Sequence, residues 1–155
     1  MWRGMFGLVA LPLSWPVWVT WEQANSYAAW RGKALPSEAQ WHRAVDISAS
    51  PATERDNFGF QSWDPIPVTG AHPNGAPAQL TGNGWEWTRD LFAPFAGFKA
   101  HPYYPGYSSD FFDDKHYVLK GASPRTAELL TRPSFRNWFR PEYSYMFAGF
   151  RVVEE

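Results

Sequence analysis

With 155 residues, the chain is long enough for one domain with a sizeable hydrophobic core, but too short for two such domains. The formal net charge of −1 excludes a general basic surface for nucleic acid, so we expect a small-molecule or protein partner. The absence of cysteine excludes disulfides, thiolate metal sites and a cysteine nucleophile. It fits a reducing compartment, and we expect a cytoplasmic protein.

The N-terminal segment and the composition narrow the class of protein further. Residues 1–13 carry one arginine and an apolar run broken by Gly4, Gly7 and Pro12, which argues against a signal peptide. No apolar run is long enough to span a membrane. The chain combines 10 Trp, 12 Phe and 7 Tyr with 14 Pro and 12 Gly. This mixture predicts a loop-rich α+β domain whose core is made of large rings.

A short strand and a helix are predicted first. Residues 16–19 (PVWV) are β-branched and aromatic, which favours a strand. Thr20 and Gln23 have the spacing of a capping box, apolar residues then recur at helical intervals, and Gly32 is a typical C-terminal stop. These signals predict a helix over 21–31.

A second helix is predicted over 38–45. Ser37 and Gln40 repeat the capping box, and Glu38 lies where the positive end of a helix favours an acid. His42 follows an aromatic residue on this helix, where a single histidine is more often a hydrogen-bonded packing residue than a ligand.

Residues 46–79 lose this periodicity and are rich in Pro, Gly, Asn and Ser, with a weak strand signal at 67–69. The segment is either an ordered loop or a disordered insertion. Phe58, Phe60 and Trp63 favour order, because a solvated segment has little use for three large rings.

The nine residues 82–90 (GNGWEWTRD) form the most specific pattern in the chain. Trp85 and Trp87 alternate with Glu86, as in a strand whose successive side chains point to opposite faces. A carboxylate between two indoles requires a cation, several N–H donors or a metal ion. We therefore predict a structural strand with a paired acid.

The next segment, 91–114, is irregular but dense in rings. A loop that only connects elements is usually polar, so this one is predicted to cover a core or to line a site. The rings of the loop are Phe95, Phe98, His101, Tyr103, Tyr104, Tyr107, Phe111 and Phe112.

Two more strands are predicted after this loop. They cover 117–120 and 147–153, and Gly149 in the second allows close backbone approach.

Common catalytic motifs are missing from the sequence. There is no Gly-x-Ser-x-Gly elbow and no nucleotide-binding glycine loop, and the histidines at 42, 72, 101 and 116 lack metal-ligand spacing. A weaker signal, for ligand binding, comes from Asn137 and Trp138. The amide of Asn137 can hydrogen bond to a small zwitterion, and the ring of Trp138 offers a face to a quaternary ammonium group. Five arginines are expected to be ion-paired, stacked on rings or clamped on a carboxylate: Arg125, Arg132, Arg136, Arg140 and Arg151.

Five segments resemble, in order, the successive blocks of the formylglycine-generating enzyme (sulfatase-modifying factor) domain. They are PVWV at 16–19 with the helix after it, KALPSEAQW at 33–41, GNGWEWT at 82–88, LKGAS at 119–123 and AGFR at 148–151. The resemblance implies a C-type-lectin-like α+β fold with little regular secondary structure. It also implies that 1–155 is a single such domain without the family's N-terminal portion and without a preceding DinB-like helical domain.

Two more segments, YPGYSSDFF at 104–112 and RPSFRNW at 132–138, resemble the sulfoxide synthases of ergothioneine biosynthesis and their selenoneine-making relatives. That subgroup uses non-haem Fe(II) and dioxygen to join a thiol or selenol donor to trimethylhistidine. The resemblance implies that Asn137 and Trp138 bind trimethylhistidine. It implies that Tyr104 is the active-site tyrosine, which donates a proton as a general acid.

Departures from the family pattern limit what this chain is expected to do alone. The cysteines of formylglycine-generating enzymes are absent, so we do not expect that activity. The subgroup's iron ligands are histidines of the DinB-like domain, so we expect the isolated chain to bind no iron and to be catalytically silent. Phe139 replaces an acid found in some members, which leaves open whether the donor is sulfur or selenium. The alternative hypothesis is a non-catalytic lectin-like binding module that has lost the chemistry.

The turn at 82–86 also resembles a calcium-binding turn of the wider family. The resemblance implies carbonyl ligands from Gly82 and Gly84 and a carboxylate ligand from Glu86, and such oxygen ligands suit calcium. Gln79 replaces an asparagine of the family at this turn. We therefore favour pairing of Glu86 with an arginine over a structural calcium ion.

Overall fold

The computed structural model describes residues 1–48, 56–68 and 76–154, and their architecture is α+β with long irregular segments. No helix among these residues is long and apolar enough to cross a membrane. The helices are α1 (Trp21–Trp30), α2 (Glu38–Ile47) and the short α3 (Gly106–Ser109), with a 3-10 turn at Glu128–Leu130. The strands are β1 (Trp2–Arg3), β2 (Leu8–Val9), β3 (Gly84–Leu91), β4 (Tyr117–Ala122), β5 (Asn137–Phe139) and β6 (Ala148–Gly149).

Helix α1 begins at the predicted capping box. Thr20 Oγ1 accepts a hydrogen bond from the Gln23 N–H at 3.2 Å, and Gln23 Oε1 accepts one from the Thr20 N–H at 3.0 Å. The helix ends at Trp30, and Gly32 follows with a φ of +64°, which glycine adopts without strain. The helix predicted over 21–31 is confirmed to within one residue.

Helix α2 begins with the same reciprocal pair, now between Ser37 and Gln40 at 3.1 and 2.8 Å. It continues to Ile47, two residues beyond the predicted end. The Glu38 N–H, one of the free donors at the helix start, donates to Asp90 Oδ2 at 2.6 Å. This bond fastens α2 to β3.

The main sheet has the strand order β5-β4-β3-β6, with β6 parallel to β3 and the other pairs antiparallel. Trp85 and Trp87 lie on the core face of β3 and are 5% and 0% exposed, while Glu86 points to the other face. The strand predicted within 82–90 is confirmed, as is its alternation. The rest of the core cluster is Ala24, Ala28, Leu35, Leu119 and Ala148.

The turn before β3 requires glycine at position 82. Gly82 has a φ of +86°, and a Cβ placed there would lie 2.6 Å from Asn57 O. The Asn83 N–H donates to the same Asn57 oxygen at 2.6 Å.

The loop at 56–68 packs against the domain through one of its rings, because Phe58 is 4% exposed. Of the three rings that favoured an ordered loop, Phe58 is thus buried, whereas Phe60 and Trp63 are 49% and 42% exposed.

The strand predicted at 16–19 is wrong. This segment is irregular and makes one backbone bond to the sheet, from the Val19 N–H to Ala148 O at 2.9 Å. Pro16 has no N–H to donate, so it adds no ladder bond at the start of the segment. The segment still supports the core, because Val19 O accepts from Trp87 Nε1 at 2.9 Å.

The strand predicted at 147–153 is confirmed only at Ala148–Gly149, where it pairs with β3. Beyond Gly149 the chain leaves β3, and Val153 exchanges two backbone hydrogen bonds with Ala34 at 2.9 and 3.1 Å. Of the weak strand signal at 67–69, residues 67 and 68 are irregular and 69 lies outside the described residues. The strand predicted at 117–120 is confirmed and extends to Ala122.

Candidate functional site

The candidate site is built on a stacked pair of rings at one edge of the sheet. Trp138, in the middle of β5, lies parallel to Phe92 with ring centroids 4.2 Å apart and planes 6° apart. Strand pairing sets Trp138 opposite Val118 of β4. The Phe92 N–H donates to His116 O at 2.7 Å, which holds Phe92 beside the same strand. Two long-range backbone contacts therefore fix the stack.

Part of the aromatic loop packs beside this stack, whereas its Phe95 and Tyr103 are 64% and 93% exposed. Phe111 and Tyr107, which belong to or follow α3, have ring centroids 5.5 and 6.3 Å from that of Trp138. Tyr104 lies one ring further out, 5.7 Å from Tyr107, and is 63% exposed. The structure thus places Tyr104 and Trp138 in one aromatic cluster, with Tyr107 between them.

Asn137 is the neighbour of Trp138 on β5 and is half-buried. Its Oδ1 accepts a hydrogen bond from the Trp138 N–H at 3.0 Å, which fixes the orientation of the amide. Within the described residues no acceptor takes a hydrogen bond from its NH2 group. The amide is therefore held in place by one end and can donate to a ligand with the other.

A separate cleft of about 420 Å³ is lined by residues at the C-terminal end of β5 and just beyond it. Phe139 and Tyr143 form one wall and are themselves stacked, with centroids 4.5 Å apart and planes 19° apart. His116 also lines the cleft, and its Nδ1 lies 2.8 Å from Asp113 Oδ1. The hydrogen bond from His116 lowers the pKa of Asp113. Charged groups at the cleft mouth are Arg140 and Glu142.

Glu86, the acid of the tryptophan motif, is bound by Arg151. Arg151 Nε donates to Oε2 at 2.7 Å and Nη2 donates to Oε1 at 2.5 Å, a bidentate pair. Burial disfavours the charged guanidinium, but the attraction of Glu86 outweighs it and raises the pKa of Arg151. The predicted pairing of Glu86 with an arginine is confirmed.

This pairing does not fit a calcium ion at the same turn. Both oxygens of Glu86 accept from the guanidinium, and only carbonyl oxygens of Gly82 and Gly84 would remain as ligands. More generally, the described part of the chain contains no group of three or more His, Asp or Glu side chains that could hold a metal ion. His72 lies outside the described residues.

A buried ion pair beneath the site was missed from the sequence. Lys120, in the centre of β4, is 0% exposed, and its Nζ lies 3.3 Å from Glu38 Oε1. It also donates to the backbone oxygens of Pro133 and Phe135 at 2.8 and 3.0 Å. Burial lowers the pKa of Lys120, and Glu38 opposes that change. The one available signal was a lysine within an otherwise apolar strand.

His42 is a packing residue on α2, as predicted. Its ring meets Trp41 edge-on at 5.5 Å, and its Nε2 is 3.8 Å from Glu38 Oε1. Burial and the nearby charge of Lys120 lower the pKa of His42, against the opposing effects of Glu38 and Asp46.

Two helices, a central sheet of four strands and aromatic loops that shape a site at the sheet edge define a class of domain. It is the loop-rich α+β class that the resemblance to formylglycine-generating enzymes predicts. The chain belongs to the sulfatase-modifying factor family, because the profile of the sulfatase-modifying factor enzyme 1-like domain matches residues 11–155.

Two of the similar curated proteins carry names that refer to hercynine or to ergothioneine biosynthesis. A hercynine oxygenase of Mycobacterium tuberculosis is 37% identical over 97% of this chain and 40% of its own length. Ergothioneine biosynthesis protein 1 of Schizosaccharomyces pombe is 34% identical over 98% of this chain and 20% of its own length. The chain thus spans well under half the length of either relative.

Among solved structures, PvdO from Pseudomonas aeruginosa matches with a TM-score of 0.67 at 18% identity. The match covers 96% of this chain and 65% of PvdO. At this level of identity it bears on the fold alone, and it agrees with the family assignment.

Proposed function

We propose that this chain is the C-terminal, substrate-binding part of a non-haem iron enzyme that acts on trimethylhistidine in ergothioneine or selenoneine biosynthesis. The observation that carries the proposal is the Asn137–Trp138 pair: Trp138 is stacked in an aromatic cluster, and the NH2 group of Asn137 donates to no acceptor among the described residues. The relative named hercynine oxygenase supports the choice of substrate, because hercynine is trimethylhistidine.

The two residues suit the two ends of this zwitterion. A trimethylammonium group cannot accept or donate hydrogen bonds, and the face of an indole attracts it through the ring quadrupole. The substrate carboxylate, in contrast, is a strong acceptor for the NH2 group of Asn137. In this proposal Trp138 selects the quaternary ammonium and Asn137 fixes the orientation of the amino acid.

Tyr104 is proposed as the proton donor of the reaction. Its phenol is exposed and lies on the loop that packs beside Trp138, so it can approach a substrate held at that ring. A phenol is a weak acid that transfers its proton when it is positioned against the developing charge. The side chain would act on substrate only when the rest of the enzyme closes the site.

Iron would be held outside these residues, by histidines of a DinB-like helical domain, and when bound it supplies the activation of dioxygen. The described residues do not fit an iron site of their own, because they bring no three ligands together. The tasks of this chain are therefore to bind, to orient and to donate a proton. The isolated chain is proposed to be catalytically silent.

The second substrate would be a thiol or selenol donor. Its S–H or Se–H bond and a C–H bond of the imidazole would be replaced by a C–S or C–Se bond, with dioxygen as the oxidant. The cleft lined by Phe139 and Tyr143 at the end of β5 offers space for it. The stacked Phe139 and Tyr143 give this cleft an apolar wall.

Calorimetric titration of the chain with trimethylhistidine tests the proposal. We expect saturable binding, and we expect Asn137→Ala to weaken it by about 10-fold or more, because a hydrogen bond to a charged group is lost. Asn25→Ala, which removes an exposed amide on α1, is the matched control and should bind like the unmodified chain. If the chain binds no trimethylhistidine even beside the DinB-like domain, the alternative of a non-catalytic lectin-like module is correct.

A further inference from the structure

The guanidinium of Arg136 connects the buried ion pair to the aromatic stack. Its Nε lies 3.0 Å from Glu38 Oε1, close enough for a strong charge interaction, although its N–H makes no aligned hydrogen bond within the described residues. Its Nη1 donates to Ala93 O at 3.1 Å. The side chain is thus held at both ends of the guanidinium.

The same guanidinium also packs on two rings. It lies 4.8 Å from the ring centroid of Phe92 and 4.3 Å from that of Phe95. Trp138 covers one face of Phe92, and Phe112 is a further neighbour with its ring centroid 4.8 Å from that of Phe92. Phe92 is therefore in contact with both a cation and an indole.

The ion pair that holds Arg136 is itself rigid. Lys120 is fully buried, and besides Glu38 it binds the backbone oxygens of Pro133 and Phe135. Those carbonyls belong to the segment that leads directly into Arg136 and β5. Glu38 and Lys120 thus fix both the backbone and the side chain of Arg136.

We propose that Arg136 is a positioning residue that transmits the fixed geometry of the Glu38–Lys120 pair to Phe92, and so sets the face that Trp138 presents to the substrate. The effect of Arg136 on substrate binding rests on the proposed function, whereas its effect on the positions of Phe92 and Trp138 does not. Arg136 acts through Phe92 and Trp138.

The chemistry of the guanidinium gives this proposal a discriminating variant. A lysine at 136 keeps the positive charge near Glu38 but loses the planar group that stacks on rings. A purely structural cation would be replaced by lysine with little effect. If Arg136 positions Phe92 by stacking on it, lysine cannot take over this role.

The test uses the chain labelled with 5-fluorotryptophan, with the Trp138 signal assigned in the 19F NMR spectrum from a Trp138→Phe variant. For Arg136→Lys we expect a melting temperature close to that of the unmodified chain. We expect a shifted or broadened Trp138 signal without ligand. We also expect trimethylhistidine affinity to be weaker by about 10-fold, the scale of losing the cation–π contact between Trp138 and the trimethylammonium group. Arg136→Gln should disturb the same signal and also lower the melting temperature.

Arg125→Gln is the matched control, because Arg125 also packs on rings, at 4.2 Å from Phe147 and 5.9 Å from Trp63, but outside the stack. The Trp138 signal of the Arg125→Gln variant should be unchanged. An unchanged Trp138 signal and affinity in Arg136→Lys would overturn the proposal. If the unmodified chain binds no trimethylhistidine, the proposed function fails, while the ligand-free Trp138 signal still decides the role of Arg136.

Discussion

Replacing Lys120 with methionine removes the cation from the buried network while keeping most of the side-chain volume. Three groups would lose their contact with Lys120: the carboxylate of Glu38 and the backbone oxygens of Pro133 and Phe135. Because Lys120 is 0% and the Glu38 side chain 10% exposed, water does not replace the lost cation readily. The variant should therefore be strongly destabilised.

The expected magnitude follows from the burial and the remaining contacts. Removing one partner of a buried ion pair destabilises a protein by about 3–5 kcal/mol. Arg136 stays near Glu38 and moderates the loss, but two carbonyls lose a donor at roughly 1 kcal/mol each. We expect about 4 kcal/mol, which in a domain of this size lowers the melting temperature by on the order of 10 °C.

Denaturant unfolding followed by circular dichroism measures this loss. Lys99→Met, at an exposed position, is the control and should change stability by less than about 0.5 kcal/mol. The double variant Glu38→Gln/Lys120→Met should be more stable than the sum of the two single losses by about 1 kcal/mol or more. A loss below about 1 kcal/mol in Lys120→Met, or strict additivity in the double variant, would refute the account of the network.

Three further outcomes are expected. Gly82→Ala should destabilise the chain by about 2 kcal/mol or more in the same assay, because its Cβ would strike the Asn57 backbone at a positive φ; an unchanged midpoint would contradict this. Since the pKa of His42 is lowered from 6.5 in the folded chain, the unfolded chain takes up this proton first as pH falls. Stability should therefore decline between pH 7 and 5 more steeply than in His42→Gln, and identical pH profiles would exclude this effect. Elemental analysis of the purified chain should find no stoichiometric iron, and one equivalent of ferrous iron would contradict the assignment of its ligands to another domain.

Features set by neighbouring residues were predictable from the sequence. The two capping boxes fixed the starts of α1 and α2, and the alternation around Glu86 placed the central strand. A buried carboxylate needs a cation, so its pairing with an arginine was predictable in kind. Which of the five C-terminal arginines would pair with it depends on the β3–β6 contact, which brings Arg151 alongside.

Features set by distant residues were not predictable in this way. The Glu38–Lys120 pair joins residues 82 positions apart, and no local pattern encodes that distance. The stack of Phe92 on Trp138 likewise depends on strand pairing. At 16–19 the residue types favoured a strand, but the segment forms only one backbone hydrogen bond to the sheet among the described residues, and local residue types do not specify such distant pairing.

The central claim is that Asn137 and Trp138 recognise trimethylhistidine, and its quaternary ammonium gives the sharpest test. Parallel calorimetric titrations with trimethylhistidine and with histidine compare ligands that differ only in the three methyl groups. We predict that trimethylhistidine binds about 10-fold or more tightly, and that Trp138→Leu abolishes this preference whereas Trp30→Leu, at an exposed ring on α1, retains it. Equal affinity for the two ligands, or a preference that survives in Trp138→Leu, would contradict the account.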